Sequence, residues 1–250
     1  MQTEKIQIRC SSIGKLMTEP KLKADKEAGN LSETTKSYLV DVYVTEKYGR
    51  EPEIHSKFIE KGLAAEDDSI TLYSRQKKAF YKKNEDRLFN EYIKGTPDLY
   101  EGEAITKAEV VIDIKTSWDV FSFFRTKAKD LNNDYYYQLQ GYLALTGAHT
   151  AKLVYCLVDT PEILINDEKR RLMYKMGVAT DLNEDYIQAA EELDKAMRFS
   201  DIPMAERVYE ITIQRDEDVI TRIYDKVKKA RLYLAELQTK LNGENTPNPA

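Results

Sequence analysis

Gly95-Thr96-Pro97-Asp98, followed by Val110-Val111-Ile112-Asp113-Ile114-Lys115, decides how this chain reads. A turn ends in a carboxylate. A strand then ends in carboxylate, apolar residue, ammonium. Side chains alternate between the faces of a strand, so Asp113 and Lys115 point the same way. If the turn brings Asp98 beside them, two carboxylates are placed to share a hard divalent cation, and the lysine can orient or neutralise what the cation activates. That set suits hydrolysis of a phosphodiester. Each half alone has a simpler account. Gly, Pro and Asp together spell a turn, and an aspartate two residues from a lysine makes a strand-end ion pair. The combination is more specific, because turn, strand, turn, strand is the context this chemistry requires.

Around this stretch the pattern is α/β, with a central mixed sheet carrying helices on its faces. A short entry strand and a helical turn fit 5–18, with Ser11 or Ser12 as N-cap. A charged loop fits 21–30. Helices fit 32–48 and 55–74, the second with Phe58, Ile59, Leu63, Ile70 and Tyr73 at three-to-four spacing. Strands are expected at 76–82, 87–93, 98–101 and 108–115, with a hairpin turn at Glu101-Gly102. Helices at 118–128 and 134–146 precede a buried strand at 151–159. Helices at 164–178 and 183–198, a strand at 206–213 and a helix at 216–241 complete the pattern. The last helix has an apolar stripe of Ile220, Ile223, Tyr224, Val227, Leu234, Leu237 and Leu241. Residues 242–250 are rich in Pro and Asn and are expected to be disordered. One domain over 1–241 is expected, with a core at about 5–160 and an extension at about 161–241 that wraps the core, makes an oligomer contact or binds a partner.

Composition excludes several classes. Of 250 residues, 42% are hydrophobic and 32% charged, ordinary for a globular protein. No apolar stretch reaches the length of a membrane span, and Met1 to Arg9 lacks an apolar signal core, so a cytoplasmic setting without membrane association is expected. Cys10 and Cys156 are too few for a disulfide framework or an iron–sulfur cluster. With two histidines, His55 and His149, an all-oxygen site for Mg²⁺ or Mn²⁺ is the natural metal site. A net charge of −5 counts against a surface that grips nucleic acid all over, but leaves room for a local basic groove.

Other candidates flank the central stretch. Glu66, on the helix over 55–74, borders the packed face, and a carboxylate there needs a partner or a metal; the plain alternative is a solvated acid beside Asp67 and Asp68. Gln138 and Tyr142 are four apart on one helix face, where Gln138 can hydrogen-bond an attacking water or a phosphate oxygen. Tyr135, Tyr136 and Tyr137 can stack on bases, although tyrosines at this density mostly pack a helix on a sheet. Arg9, Ser11, Ser12 and Lys15 surround a helix start, which is either an anion site or ordinary capping. Of the basic clusters, Arg125, Lys127 and Lys129 are expected nearest a DNA backbone, and the others are read as solvated faces.

Taken in order, Arg9-Cys10-Ser11-Ser12, Gly62-x-x-x-Glu66, Gly95-Thr96-Pro97-Asp98, Asp113-Ile114-Lys115 and Gln138-x-x-Gly141-Tyr142 resemble the PD-(D/E)XK nuclease superfamily. Within it the chain is similar to the phage lambda-type, YqaJ-related recombination exonucleases, over about residues 5–160. The resemblance implies a restriction-endonuclease-like core and a Mg²⁺-dependent nuclease. Such an enzyme digests one strand of duplex DNA from its 5′ end and leaves a 3′ overhang for a single-strand annealing protein, in a bacterial or phage-infected cell. It implies two metal ions, with Glu66, Asp98, Asp113 and the Ile114 carbonyl as ligands. Lys115 would act on the water or the phosphorane, and Gln138 would support the site. Arg9 and Ser12, with Ser11 and Tyr142 nearby, would hold the DNA end and its 5′-phosphate, and a homo-oligomer is compatible with the pattern. Aspartate stands at 113 where the family more often has glutamate, one methylene longer. A structure-specific endonuclease, or a binding protein that keeps the fold without cutting, are the rival readings; the filled acidic and lysine positions favour an enzyme.

Overall fold

The computed structural model describes residues 2–52 and 56–243. His55 and most of the expected tail, 244–250, lie outside the described residues. The chain enters through β1 (Ile8–Arg9), a 3-10 turn at Cys10–Ser12 and α1 (Ile13–Leu16), then α2 (Lys23–Glu27), α3 (Glu33–Tyr48), α4 (Lys57–Ala64) and α5 (Glu66–Lys77). Strands β2 (Leu88–Phe89), β3 (Ile93–Gly95), β4 (Leu99–Gly102) and β5 (Ala108–Thr116) lead into α6 (Val120–Lys127), α7 (Asn133–Thr146) and β6 (Thr150–Cys156). The last elements are α8 (Glu162–Met176), α9 (Glu184–Ala196), β7 (Val208–Gln214) and α10 (Glu217–Leu241).

The strands form two sheets, the larger of them the expected central mixed sheet. The larger has the order β4-β5-β6-β7, antiparallel, parallel, antiparallel. The smaller has the order β1-β3-β2. β5 is covered on both faces, which is why it reads as a nearly continuous apolar run. Ile112 and Ile114 join Leu99, Val154 and Cys156 under Ile70, Leu72 and Tyr73 of α5. Val111 faces the opposite core, built from α1, α3, α7 and α10. By alternation Asp113 and Lys115 also face α7. The hairpin at Glu101-Gly102 is present, with Gly102 at φ 136°. A Cβ there would sit 2.7 Å from the Lys107 carbonyl oxygen, so glycine is required on both counts.

Three expectations need correction. Residues 76–82 form no strand: α5 runs to Lys77, Lys78 takes a left-handed conformation, and the chain continues irregularly. The stretch 21–30 contains α2 rather than only loop. The helix expected over 55–74 is broken at Ala65, which is fully buried with φ −112°, ψ 14°. The break makes Glu66 the first residue of α5, followed by Asp67 and Asp68, where the helix dipole favours acids.

The segment after residue 161 is built into the fold. β7 pairs with β6 along its whole length. α10 buries Val219, Ile223, Val227, Ala230 and Leu234 in the core that backs α7. Leu234 is fully buried. Leu234→Ala is expected to cost about 2–5 kcal/mol, the range for truncating a buried leucine. Urea unfolding checks this, and a loss below about 1 kcal/mol would mean that α10 is an appendage.

Candidate active site

The end of β5 and the turn before β4 meet as the spacing predicts. Asp98 Oδ2 accepts from the Ile114 amide at 2.7 Å, which pins the turn to the strand. Asn84, which the sequence did not single out, holds the turn from the other side. Its backbone amide donates to the Asp98 carbonyl at 2.7 Å, and its buried side chain donates to the Pro97 carbonyl at 2.9 Å. Its only sequence signal is an amide-bearing residue in a charged stretch, too weak to find it.

Asp113 is 1% exposed. Its Oδ1 accepts from Gln138 Nε2 at 3.0 Å, and the same amide donates to the Tyr142 hydroxyl at 2.9 Å. Gln138 therefore steadies a carboxylate in this structure. Asp113 Oδ2 lies 2.7 Å from Lys115 Nζ but is a buried oxygen without a hydrogen-bond partner among the described residues. The ammonium sits close to it, off the hydrogen-bonding direction. Lys115 Nζ also lies 5.0 Å from the centroid of the Tyr135 ring.

The electrostatics follow from this crowding. Burial, and then the neighbouring Asp113 carboxylate, push the Asp98 carboxyl well above the ordinary carboxylate range. The Ile114 amide and Lys115 oppose the shift, and Glu66 adds to it. Burial by itself lowers Lys115, but Asp113 and then Asp98 outweigh it, and the ammonium is held above its ordinary value. Lys115 is thus a fixed positive charge.

These groups line a cleft of about 520 Å³ together with Glu66, Ile114, Ser117, Tyr135, Gln138 and Tyr142, and with an apolar wall of Phe58, Ile59, Leu63 and Trp118. Glu66 reaches it from the first turn of α5 and is paired with Lys83 at 2.7 Å. Ser69 Oγ to Thr116 Oγ1, 2.8 Å, ties α5 to the end of β5. Among the described residues, no three His, Cys, Asp or Glu side chains form a ready metal cage. Asp98 and Asp113 are brought together, and Glu66 lines the same cleft with its charge answered by Lys83.

The Arg9 group is divided by the structure. Ser12 precedes α1, a single short turn, but makes no side-chain cap, so the expected capping is not made there. Ser12 lines a pocket with Lys15 and Tyr38, whereas Ser11 lines another with Arg87, Lys94, Thr96 and Tyr142; Arg9 borders both and is paired with Glu51. Tyr142 belongs to this second pocket and to the cleft, so the two adjoin. Arg87 and Lys94 carry no sequence signal because they lie beside or within short strands rather than in a motif. The close fit here depends on small residues: a Cβ on Gly95 would lie 2.8 Å from the Tyr142 ring and 2.9 Å from Cys10 Sγ.

Several basic clusters are neutralised by nearby acids. Lys169, Arg170 and Arg171 pair with Asp194, Asp167 and Glu168, and Lys77 pairs with Glu210. Arg125, Lys127 and Lys129 are exposed on and after α6, whose Ser122 and Thr126 line the cleft.

No family model matches the chain, and no curated protein matches it in sequence. Solved structures do. A phage related exonuclease from Haemophilus somnus 129PT superposes with a TM-score of 0.70 at 27% identity, over 95% of this chain and 97% of that one. The fold is that of a lambda-type recombination exonuclease. The alkaline exonuclease LHK-Exo from Laribacter hongkongensis has the same fold, with a TM-score of 0.61 at 14% identity over 97% of this chain and 96% of that one. LHK-Exo in complex with dAMP gives 0.59 at 15% identity, over 94% and 90%. The likeness reaches well beyond the 5–160 span of the motifs and takes in the β7 and α10 extension of the exonuclease fold. No helix among the described residues is long and apolar enough to cross a membrane.

Asp113→Asn removes the second cause of the raised Asp98 value while keeping the shape. The Asp98 carboxyl is expected to titrate lower in that variant than in the wild type. Carbon-13 carboxyl NMR titration measures this, and an unchanged Asp98 midpoint would show that the two carboxylates do not interact.

Proposed function

We propose that this chain is a metal-dependent deoxyribonuclease of the PD-(D/E)XK type, a single nuclease domain acting as an exonuclease on the ends of double-stranded DNA. The observation that carries the reading is the crowding of Asp98 and Asp113 beside Lys115 at one strand end, in a fold shared with exonucleases. Two buried carboxylates repel, and such a pair is stabilised by a shared cation. The residues fit a hard cation: the donors are oxygens, and Asp113 Oδ2 is buried without a hydrogen bond among the described residues, beside the Lys115 ammonium. Asp98, Asp113, Glu66 and the Ile114 carbonyl would hold Mg²⁺ or Mn²⁺, two ions in all, with Glu66 released from Lys83. Bound there, the ions would supply activation of water and charge for the leaving oxygen.

The rest of the mechanism belongs to the chain's own groups. Lys115, protonated and braced by Asp113, offers a positive charge to the attacking oxygen or to a phosphate oxygen as negative charge builds. Gln138 keeps Asp113 oriented, and Tyr142 keeps Gln138 oriented. The pocket of Arg9, Ser11, Arg87 and Lys94, next to the cleft through Tyr142, suits the terminal 5′-phosphate, which supports digestion from the 5′ end. Ser12 lies in the neighbouring pocket and contributes less. Arg125, Lys127 and Lys129 flank the duplex backbone. A 3′-tailed product would pass to a single-strand annealing protein in the cytoplasm of a bacterial or phage-infected cell, and a homo-oligomer would keep the enzyme on its substrate.

Asp98→Ala, Asp113→Ala and Lys115→Ala are each expected to abolish release of label from end-labelled linear duplex. EDTA is expected to do the same, with Mg²⁺ or Mn²⁺ restoring it. Full activity in any of the three variants would sink the assignment. Asp113→Glu should keep some cleavage, since only the reach of the carboxylate changes.

Arg9→Ala and Arg87→Ala should slow digestion of 5′-phosphorylated ends by tenfold or more, as loss of a charge-assisted contact of roughly 1.5–3 kcal/mol implies. Digestion of 5′-hydroxyl ends should change little. Equal losses on both ends would indicate a general backbone contact, and efficient cutting of closed circles would favour an endonuclease.

A further inference from the structure

Lys61 is 1% exposed, and its ammonium sits where three segments meet. Nζ donates to the Trp118 carbonyl at 2.7 Å. It lies 4.9 Å from the Phe199 ring and 5.8 Å from the Trp118 ring. The acids that face it are Asp119 and Asp159, neither in an ion pair with it. Both are engaged elsewhere: Asp119 accepts from the Ser122 amide at 2.6 Å, and Asp159 from the Phe199 amide at 2.5 Å. An ammonium has three donors, and among the described residues one is used.

Burying a charge this way costs stability, and an apolar side chain of similar length fills the same space without that cost. Packing therefore does not explain the lysine. Its geometry does. Lys61 leaves α4, whose Phe58, Ile59 and Leu63 form the apolar wall of the cleft with Trp118, and grips the main chain at Trp118, three residues past Lys115, so it ties that wall to the end of the catalytic strand. The acceptor is a backbone carbonyl, so the grip fixes the path of the loop that leaves the catalytic strand.

We propose that Lys61 is a positioning residue, latching α4 to the loop after β5 and thereby setting the opening of the cleft for catalysis. The proposal rests on the nuclease reading for its kinetic consequence but not for its structural one. Burial brings the Lys61 ammonium down to about 8, against the smaller opposing pull of Asp119 and Asp159. The folded chain thus holds this proton less tightly than the unfolded chain. Between about pH 8 and the ordinary lysine value the unfolded chain binds more protons, and stability from this group rises with pH. The cost of the buried charge is fully present below that window.

Trp118 is the sole tryptophan of the chain and reports on the latch directly. Wild-type emission is expected to change between pH 7 and 9 with a midpoint near 8. Lys61→Met should abolish the change. Lys57→Gln, which removes the other ammonium over the indole ring at 4.7 Å, should keep it. At pH 7 Lys61→Met should melt at the same temperature as wild type or higher, with the advantage fading as pH rises through the window. In the same variant kcat on linear duplex should fall about tenfold or more, while KM stays within about twofold, a difference of about 1.4 kcal/mol in the barrier. Wild-type kcat in Lys61→Met overturns the proposal, as does a kcat loss in a variant that melts below wild type at pH 7. If Lys61→Met does not fold, a flat wild-type emission across the window overturns it, and a transition retained in Lys57→Gln supports it. A wild-type protein that cuts no DNA removes the nuclease reading, and the emission titration then judges the latch alone.

Discussion

Two carboxylates share the low-dielectric end of β5, and their repulsion is the constraint around which the site is arranged. Asp98 is drawn in by the Ile114 amide, and Asp113 is buried with one oxygen lacking a hydrogen bond among the described residues. Left alone, such a pair would protonate or move apart. Lys115, on the same face two residues on, offsets part of the repulsion. The arrangement stays net acidic once Glu66 is included, which gives a cation a reason to bind and a phosphodiester a place to react.

Rigidity around the pair comes from packing at close quarters. β5 is held between β4 and β6 and covered on both faces, so its end cannot swing. Asn84 fixes the turn that carries Asp98, and Gln138 with Tyr142 fixes Asp113 from α7. Gly95 lets Cys10 and the Tyr142 ring approach the turn, joining the cleft to the basic pocket of Arg87 and Lys94. Buried polar groups with satisfied bonds specify one arrangement, and here that arrangement orients reactive groups.

Charge is distributed economically over the rest of the surface. The basic runs at Lys169–Arg171 and Lys77 answer acids on α8, α9 and β7, and so add little to nucleic-acid attraction. Positive charge near the cleft lies at Lys115, at Arg87 and on and after α6, while Arg9 and Lys94 beside Arg87 pair with Glu51 and Glu46. A net charge of −5 is therefore compatible with a local path for an anionic polymer.

The sequence by itself determined the periodic elements and the central pair. Period two along 108–115 placed Asp113 and Lys115 on one face, and period 3.6 gave α3, α7 and α10, because these patterns are properties of neighbouring residues. The same locality explains the shared bonds of Gln138 and Tyr142. Tertiary structure decided what depends on residues far apart in the chain. It broke the helix over 55–74 at a buried Ala65 and so put Glu66 at a helix start beside Lys83. It separated Ser11 from Ser12 and gathered Arg87 and Lys94 next to the cleft. It also brought Asn84 to the turn and buried Lys61 against the Trp118 carbonyl. None of these contacts has a local pattern, since each is set by where distant segments cross, and distance along the chain carries no record of that crossing.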